Sequence, residues 1–221
     1  PIIDTLPKKI ILVVSNEIFI EKESLPSPLL NRLIRIAAFQ NPDFYKAQAM
    51  RLPVYDKPRI IGCARDYSHH IGLPRGCFDD ITKLLRELKI KYTIQEELFA
   101  GEPLDIQFCG ELRPEQQLAV DALMQSDIGV LSATTAFGKT VVAAWMIAKR
   151  KTNTLVIVHT KQLQDQWVDR LQTFLGLPAK KIGRFGGGRK KITGFIDIAL
   201  IQSLTKHAEI ESMISQYGYV V

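Results

Sequence analysis

Cysteine is scarce in this 221-residue chain: Cys63, Cys77 and Cys109 are odd in number and widely spaced. That argues against a disulfide framework and suits a reducing compartment. Long apolar runs are also missing, none approaching the ~18 residues of a membrane-crossing helix. The opening stretch Pro1 to Lys9 carries charges and two prolines where a secretory leader would have an unbroken apolar core. A cytoplasmic protein with no membrane partner is the expectation. Methionine is absent from position 1, and the chain stops at Val220 and Val221 inside an apolar run, so both ends read as cut from something longer.

What is present is a globular composition, 46% hydrophobic, with length for one large domain or two modest ones. The net charge of +6 is uneven: residues 1–110 hold 15 basic and 14 acidic side chains, residues 111–221 hold 14 and 9. The second half therefore favours a polyanionic partner.

The most informative stretch is Ala133, Thr134, Thr135, Ala136, Phe137, Gly138, Lys139, Thr140. An apolar run, Ile128 to Leu131, precedes it and predicts a buried parallel strand, while Val141 to Ile147 continues as an apolar helix. Strand, loop and helix are the setting of a phosphate-binding loop. Gly138 lets backbone approach a ligand, and the N–H groups that open the helix point at phosphate with the positive end of the dipole. Lys139 would reach the β and γ phosphates of ATP, and Thr140 would offer its hydroxyl to Mg²⁺. Ala133 departs from the strict pattern, which has Gly there. The plain alternative is an Ala/Thr-rich turn with a helix-starting lysine.

In the first hundred residues the pattern predicts a hairpin from Ile10 to Val14 and Ile18 to Ile20 about Ser15 and Asn16. A helix follows from Pro26 and Pro28, with Leu29, Leu30, Leu33, Ile34, Ala37 and Ala38 at helical spacing. A second runs from Pro42 to Met50 with Asn41 as cap. Then come a strand at Arg59 to Cys63, a loop from Asp66 to Gly76, a helix from Phe78 to Leu88 and a strand from Lys91 to Ile94. Cys63, His69, His70 and Cys77 are zinc-ligand types, but their spacing matches no familiar zinc pattern; a packed cysteine pair with loop histidines is the other reading. Arg51, Lys57, Arg59, Arg65 and Arg75, interleaved with Tyr45, Tyr55 and Tyr67, suit either nucleic acid or solvated surface.

Gly101, Glu102 and Pro103 mark a boundary. A helix is expected from Pro114 to about Gln125 with Leu118, Ala119, Ala122 and Leu123 on one face; it is a capped surface helix, or it places Arg113 and Gln116 to read adenine. After the loop, Thr154 to Val158 reads as a strand and Lys161 to Leu175 as an amphipathic helix, with His159 and Thr160 at the strand's carboxyl end. Lys180 to Lys191 packs six cations and four glycines around Phe185, a solvated hairpin tip or a flexible phosphodiester-binding segment. Ile196 to Ile201 is a buried strand, followed by a helix near Ala208 to Ser215 and a last strand at Tyr219 to Val221.

Several of these segments fall into a familiar order. Leu112, Arg113, Pro114 and Gln116, then residues 133–140, then Val158, His159, Thr160, Leu163, Gln166 and Trp167, then Gly186 to Gly188, then Ile201 to Leu204 together resemble the first RecA-like domain of superfamily 2 DEAD/DEAH-type helicases, nearest the XPB and UvsW-like branch. The resemblance implies an α/β fold: a small α+β domain over residues 1–108, with a DNA-recognition role in relatives, and a truncated RecA-like parallel-sheet domain over 109–221. It implies a nucleotide site of Arg113, Gln116, Thr134, Thr135, Ala136, Phe137, Gly138, Lys139 and Thr140. A DNA (or RNA) face follows, with Thr160, Gln166, Arg184, Gly186, Gly187, Arg189, Lys190, Gln202 and Ser203. Glu115 departs from the aromatic that many relatives place against the base. The first half resembles the region before the helicase core in TOTE conflict-system proteins, where a primase can precede the helicase.

In such helicases the strand opened by Tyr219 leads to an Asp-Glu box, and a second RecA-like domain supplies arginine fingers; neither is in this sequence. The fragment is expected to bind ATP and Mg²⁺ while hydrolysing almost none alone. The rivals are a P-loop kinase or small NTPase, which needs a lid or substrate insert not found here, and a nucleic-acid-binding module with a vestigial nucleotide loop.

Overall fold

The computed structural model describes residues 6–205 and 210–221, and its contacts divide the chain into units 1–98 and 99–221. In the first unit, β1 (Lys9–Val14) and β2 (Ile18–Glu21) form the expected hairpin, and β1 pairs in parallel with β7 (Lys91–Glu96). The sheet order is β5-β6-β2-β1-β7, with β5 at Arg65–Asp66 and β6 at His70–Leu73. Helices α1 (Ser27–Ile36) and α3 (Phe78–Glu87) send Leu29, Leu33, Ile81 and Leu85 into the core, where they meet Ile10, Leu12, Ile18, Ile20, Ile71 and Leu73. α2 (Pro42–Ala49) is capped by the Asn41 carboxamide, which accepts from the Asp43 N–H at 3.0 Å, and it lies in sequence between the paired strands β3 (Ala38–Gln40) and β4 (Ile60–Gly62).

Two expectations fail in this unit. Ala38 does not extend α1: Ala37 ends the helix, and Ala38 pairs with Gly62 as a strand residue. The stretch from Asp66 to Gly76 is not all loop, because His70–Leu73 pairs with β2 and buries Ile71 and Leu73. Flanking Gly and Pro masked a strand whose apolar residues alternate over only four positions.

The second unit is built on the order β10-β9-β11-β8-β12. Strands β8 (Thr154–Val158), β9 (Ile182–Gly186), β11 (Ile196–Leu200) and β12 (Tyr219–Val220) run parallel, and β10 (Arg189–Lys191) returns antiparallel along β9. Helices α5 (Lys139–Arg150) and α6 (Lys161–Leu175) cover one face through Ala144, Ile147, Val168, Leu171 and Leu175, packed on Val156, Val158, Ile196 and Ile198. Leu104 and Ile106 join this core, so the residues just after Phe99 pack with the second unit. The other face holds Leu155, Phe185, Ala199, Leu204 and Tyr217. The chain is thus α/β with a parallel-strand sheet. α7 (Ile201–Leu204) is a single turn, and α8 is described from Ile210 to Ile214; Ala208 and Glu209, where its start was expected, lie outside the described residues.

Three further expectations are corrected. Ile128–Leu131 forms no ladder among the described residues; Val130 is 91% exposed. Pairing needs a free sheet edge, and both edges are short, β10 with three residues and β12 with two. The buried side of α4 (Pro114–Leu123) is Gln116 and Val120, with Leu123 partly buried, because α5 packs there through Val142 and Met146; Leu118 faces solvent. Finally, the basic stretch 180–191 is not a free tip: Ile182 and Phe185 are core residues of β9, which is paired on both sides by β10 and β11, and only Gly187 and Gly188 form the hairpin turn.

Candidate nucleotide site and strand face

α5 begins at Lys139, and its N-cap, Gly138, has φ 87°, a left-handed conformation that glycine adopts without strain. A Cβ at Gly138 would also lie 2.5 Å from Gln116 Nε2, so the loop and α4 meet across a hydrogen atom. Ala136 has φ 67° and pays the left-handed penalty with a side chain present. Lys139 Nζ folds back to donate to the carbonyls of Ala133 at 2.6 Å and Thr134 at 2.9 Å. Those carbonyls hold the ammonium over the concavity of the loop.

Gln116 is buried and bonded at both ends of its amide. Its Oε1 accepts from the Arg113 N–H at 3.0 Å, closing the first turn of α4, and its Nε2 donates to the Phe137 carbonyl at 2.8 Å. The Arg113 guanidinium donates to the same carbonyl and pairs with Glu115 at 3.2 Å. The two residues expected to read a base therefore grip the phosphate loop instead, through one carbonyl oxygen.

The residues fit a triphosphate and its Mg²⁺. A glycine stands where a Cβ has no room, a three-turn helix presents its N-terminus, and a lysine is parked on carbonyls that phosphate oxygens can replace. Thr134 and Thr135 are exposed on the loop, and Thr140 follows Lys139 in the first turn of α5.

The parallel register brings the carboxyl ends of β8, β9 and β11 to one side of the sheet. There Thr160 caps α6, its Oγ1 accepting from the Leu163 N–H at 3.2 Å, and Gln202 Nε2 donates to the His159 carbonyl at 2.9 Å. Gly186, at φ 97°, approaches Ser203 so closely that a Cβ would sit 2.4 Å from its Oγ. Thr160, Gly186, Gly187, Gln202 and Ser203 thus gather at this edge. Gln166 is exposed on α6, Arg184 pairs with Asp165 at 2.5 Å, and Arg189 and Lys190 lie on β10.

Sequence reading missed three buried polar hubs. Gln164, not Gln166, is the buried glutamine of α6; its Nε2 donates to Phe185 O at 3.1 Å and Ile198 O at 2.8 Å, tying the helix to two strands. Asp197 accepts from the backbone N–H groups of Thr193 and Gly194 and from the hydroxyls of Thr193 and Tyr217. Burial, and then the Asp197 carboxylate, push the Tyr217 phenol well above its ordinary pKa. Asn153 accepts from Glu102 N and Gly218 N, each at 3.0 Å, and donates to Gly194 O and Gln216 O. A polar residue beside a strand is the available signal, and it does not say which partners the fold will deliver. Cys63 is exposed, Cys77 Sγ faces the Ile36 carbonyl at 3.9 Å, and among the described residues no group of three or more His, Cys, Asp or Glu is placed to hold a metal. None of the described helices is long and apolar enough to cross a membrane.

Known proteins resemble this chain in sequence and in fold. The DNA 3'-5' helicase XPB of Kineococcus radiotolerans is 36% identical over 94 residues, 42% of this chain and 17% of that protein. The DNA 3'-5' translocase XPB2 of Sulfurisphaera tokodaii is 29% identical over 134 residues, 60% of this chain and 29% of that one. The chain therefore spans less than a third of either relative. The crystal structure of the UvsW helicase from bacteriophage T4 superposes with a TM-score of 0.67 at 19% identity, covering 96% of this chain and 80% of that one, a likeness of fold. The family model of the type III restriction enzyme res subunit matches residues 110–221, the segment that holds the phosphate loop, the parallel sheet and the gathered strand ends, and the chain belongs to that family.

Proposed function

We propose that this chain is the ATP-binding front part of an ATP-dependent DNA helicase or translocase. The observation that carries the reading is the lysine of the loop: Lys139, at the first turn of α5, holds its ammonium on the carbonyls of Ala133 and Thr134, where phosphate oxygens can take over the contact. Relatives named as 3'-5' helicases and translocases support it.

In this reading residues 134–138 supply loop amides, Lys139 neutralises phosphate charge and Thr140 gives Mg²⁺ a hydroxyl ligand. Bound Mg²⁺ would supply Lewis-acid polarisation of the transferred phosphoryl group. Gln116 and Arg113 turn from the Phe137 carbonyl toward adenine. Thr160, Gln166, Arg184, Gly186, Gly187, Arg189, Lys190, Gln202 and Ser203 contact the strand; Thr160 does so through backbone, since its hydroxyl caps α6. A second RecA-like domain completes the hydrolytic site, the first unit, residues 1–98, forms an accessory module with a role in DNA recognition, and an upstream primase is a candidate partner in the TOTE arrangement. Alone, this portion binds nucleotide and hydrolyses almost none.

The test is DNA-stimulated ATP hydrolysis by the full-length protein, with Lys139→Ala beside it. Stimulated turnover that the substitution abolishes supports the motor. DNA binding without any ATP turnover, indifferent to Lys139, would leave a binding module with a vestigial loop.

A further inference from the structure

The cations of the β9–β10 hairpin do not all lie at the strand ends. β10 is the outermost strand of its sheet, and its register sets Lys191 opposite Arg184, Lys190 opposite Phe185 and Arg189 opposite Gly186. Directly paired residues project to the same face, so Arg184 and Lys191 stand together on the α6 side. Between this edge and the turn at Ala179 lies an open cleft of about 480 Å³, lined by Ala179, Ile182, Arg184, Arg189, Lys190 and Lys191.

Asp165 of α6 stands at the rim. Its Oδ1 lies 2.5 Å from Arg184 Nη1 and 3.8 Å from Arg189 Nη1, so one carboxylate oxygen serves two guanidiniums. Arg184, Arg189 and Lys191 on that face, with Lys190 beside Phe185 on the other, leave an excess of positive charge over the one carboxylate along an extended edge. Asp165 and Arg189 are each 48% exposed, and ion pairs in such settings are weak and readily exchanged.

We propose that this outer edge, where Lys191 joins Arg184, Arg189 and Lys190 of the strand-contacting set, carries the DNA phosphate backbone beyond the strand ends, and that Asp165 is a resident counter-anion which DNA phosphates displace from Arg184 and Arg189. The inference rests on the DNA-motor reading and extends the track from the carboxyl ends of the strands down the side of the sheet. A guanidinium already oriented by one carboxylate oxygen can exchange it for a phosphate oxygen of similar geometry. Lys190 and Lys191 add attraction without base readout. The competing explanation is that lysines on an edge strand merely guard it against pairing with another sheet.

The experiment is a salt series of binding by the full-length protein to a labelled DNA oligonucleotide, for the wild type, Lys190→Ala/Lys191→Ala and Asp165→Asn, with inorganic triphosphate as competitor and DNA-stimulated ATP turnover measured on the wild type. The double variant is expected to flatten the slope of log K against log salt by about 1.4 to 1.8, two phosphate contacts' worth. Asp165→Asn is expected to tighten binding severalfold at low salt and to steepen the slope. An unchanged slope in the double variant, with more aggregation, would establish edge protection and overturn the extended track. Weaker binding by Asp165→Asn would overturn the displacement, because the carboxylate would then be holding the arginines in place. Triphosphate displacing the oligonucleotide at equal concentration would make the cleft a small-anion pocket, against the proposal. A wild type that binds DNA and is stimulated by it keeps the motor reading intact whichever way the variants behave; one that does neither removes both.

Discussion

The side-chain amide of Gln116 donates to the backbone carbonyl of Phe137 at 2.8 Å, joining α4 to the phosphate loop across 21 residues of sequence. Its other end, Oε1, is held by the Arg113 N–H. In the proposed nucleotide complex the same amide exchanges the Phe137 carbonyl for adenine, so seating the base would release α4 from the loop.

Gln116→Ala should therefore lower ATP affinity and also erase the preference for ATP over GTP, about tenfold for 1.4 kcal/mol of lost contact. Competition binding with the two nucleotides checks this. Equal losses for both would reduce Gln116 to a helix cap and loop tether.

Ala136→Gly should stabilise the protein by about 1 kcal/mol, since φ 67° strains an alanine and suits a glycine. The shift would be read in the urea midpoint. Nucleotide affinity should hold or improve, because the glycine preserves the loop amides. A destabilised variant would mean the left-handed turn is not retained in solution.

Asn153→Ala should cost about 3 kcal/mol or more, because it strands the Glu102 and Gly218 N–H groups and the Gly194 and Gln216 carbonyls at once. Equilibrium unfolding measures it. A loss below about 0.5 kcal/mol, usual for a surface change, would show that solvent reaches these groups.

Tyr217 sets an alkaline limit. Its folded pKa is raised, by burial first and then by Asp197, so the unfolded chain gives up the proton first as pH rises. The stability it contributes is full below the ordinary phenol value of 10.0 and declines above it. Comparing unfolding of the wild type and Tyr217→Phe from neutral pH to about pH 11, the gap between them should narrow above pH 10. A gap that stays constant would show that Tyr217 titrates alike in both states.

Much of the fold was legible because apolar period alone decides it. Thr154–Val158 followed by Lys161–Leu175 has unbroken strand character and then a helical stripe, and both formed within those bounds. Ile128–Leu131 has the same strand character and pairs with no strand among the described residues, since a strand needs a neighbour that no local pattern encodes. In the site, Lys139 and Gly138 were readable from the loop itself, whereas the grip of Gln116 and Arg113 on Phe137 depends on how α4 docks. Composition hid β9 for the opposite reason: its cations and glycines concealed Ile182 and Phe185, whose burial makes the segment an interior strand. Arg184 and Arg189 looked available, and only the packing of α6 reveals that Asp165 engages them.

The close approach of Gly186 to Ser203 carries a different kind of consequence. A Cβ at 186 would also meet the Leu200 Cβ at 2.9 Å, on a backbone whose φ of 97° suits glycine. No single change at 203 makes that room, whereas 203 is free to shrink. The tolerance of this corner of the sheet is therefore one-sided, open to loss of atoms at 203 and closed to their gain at 186.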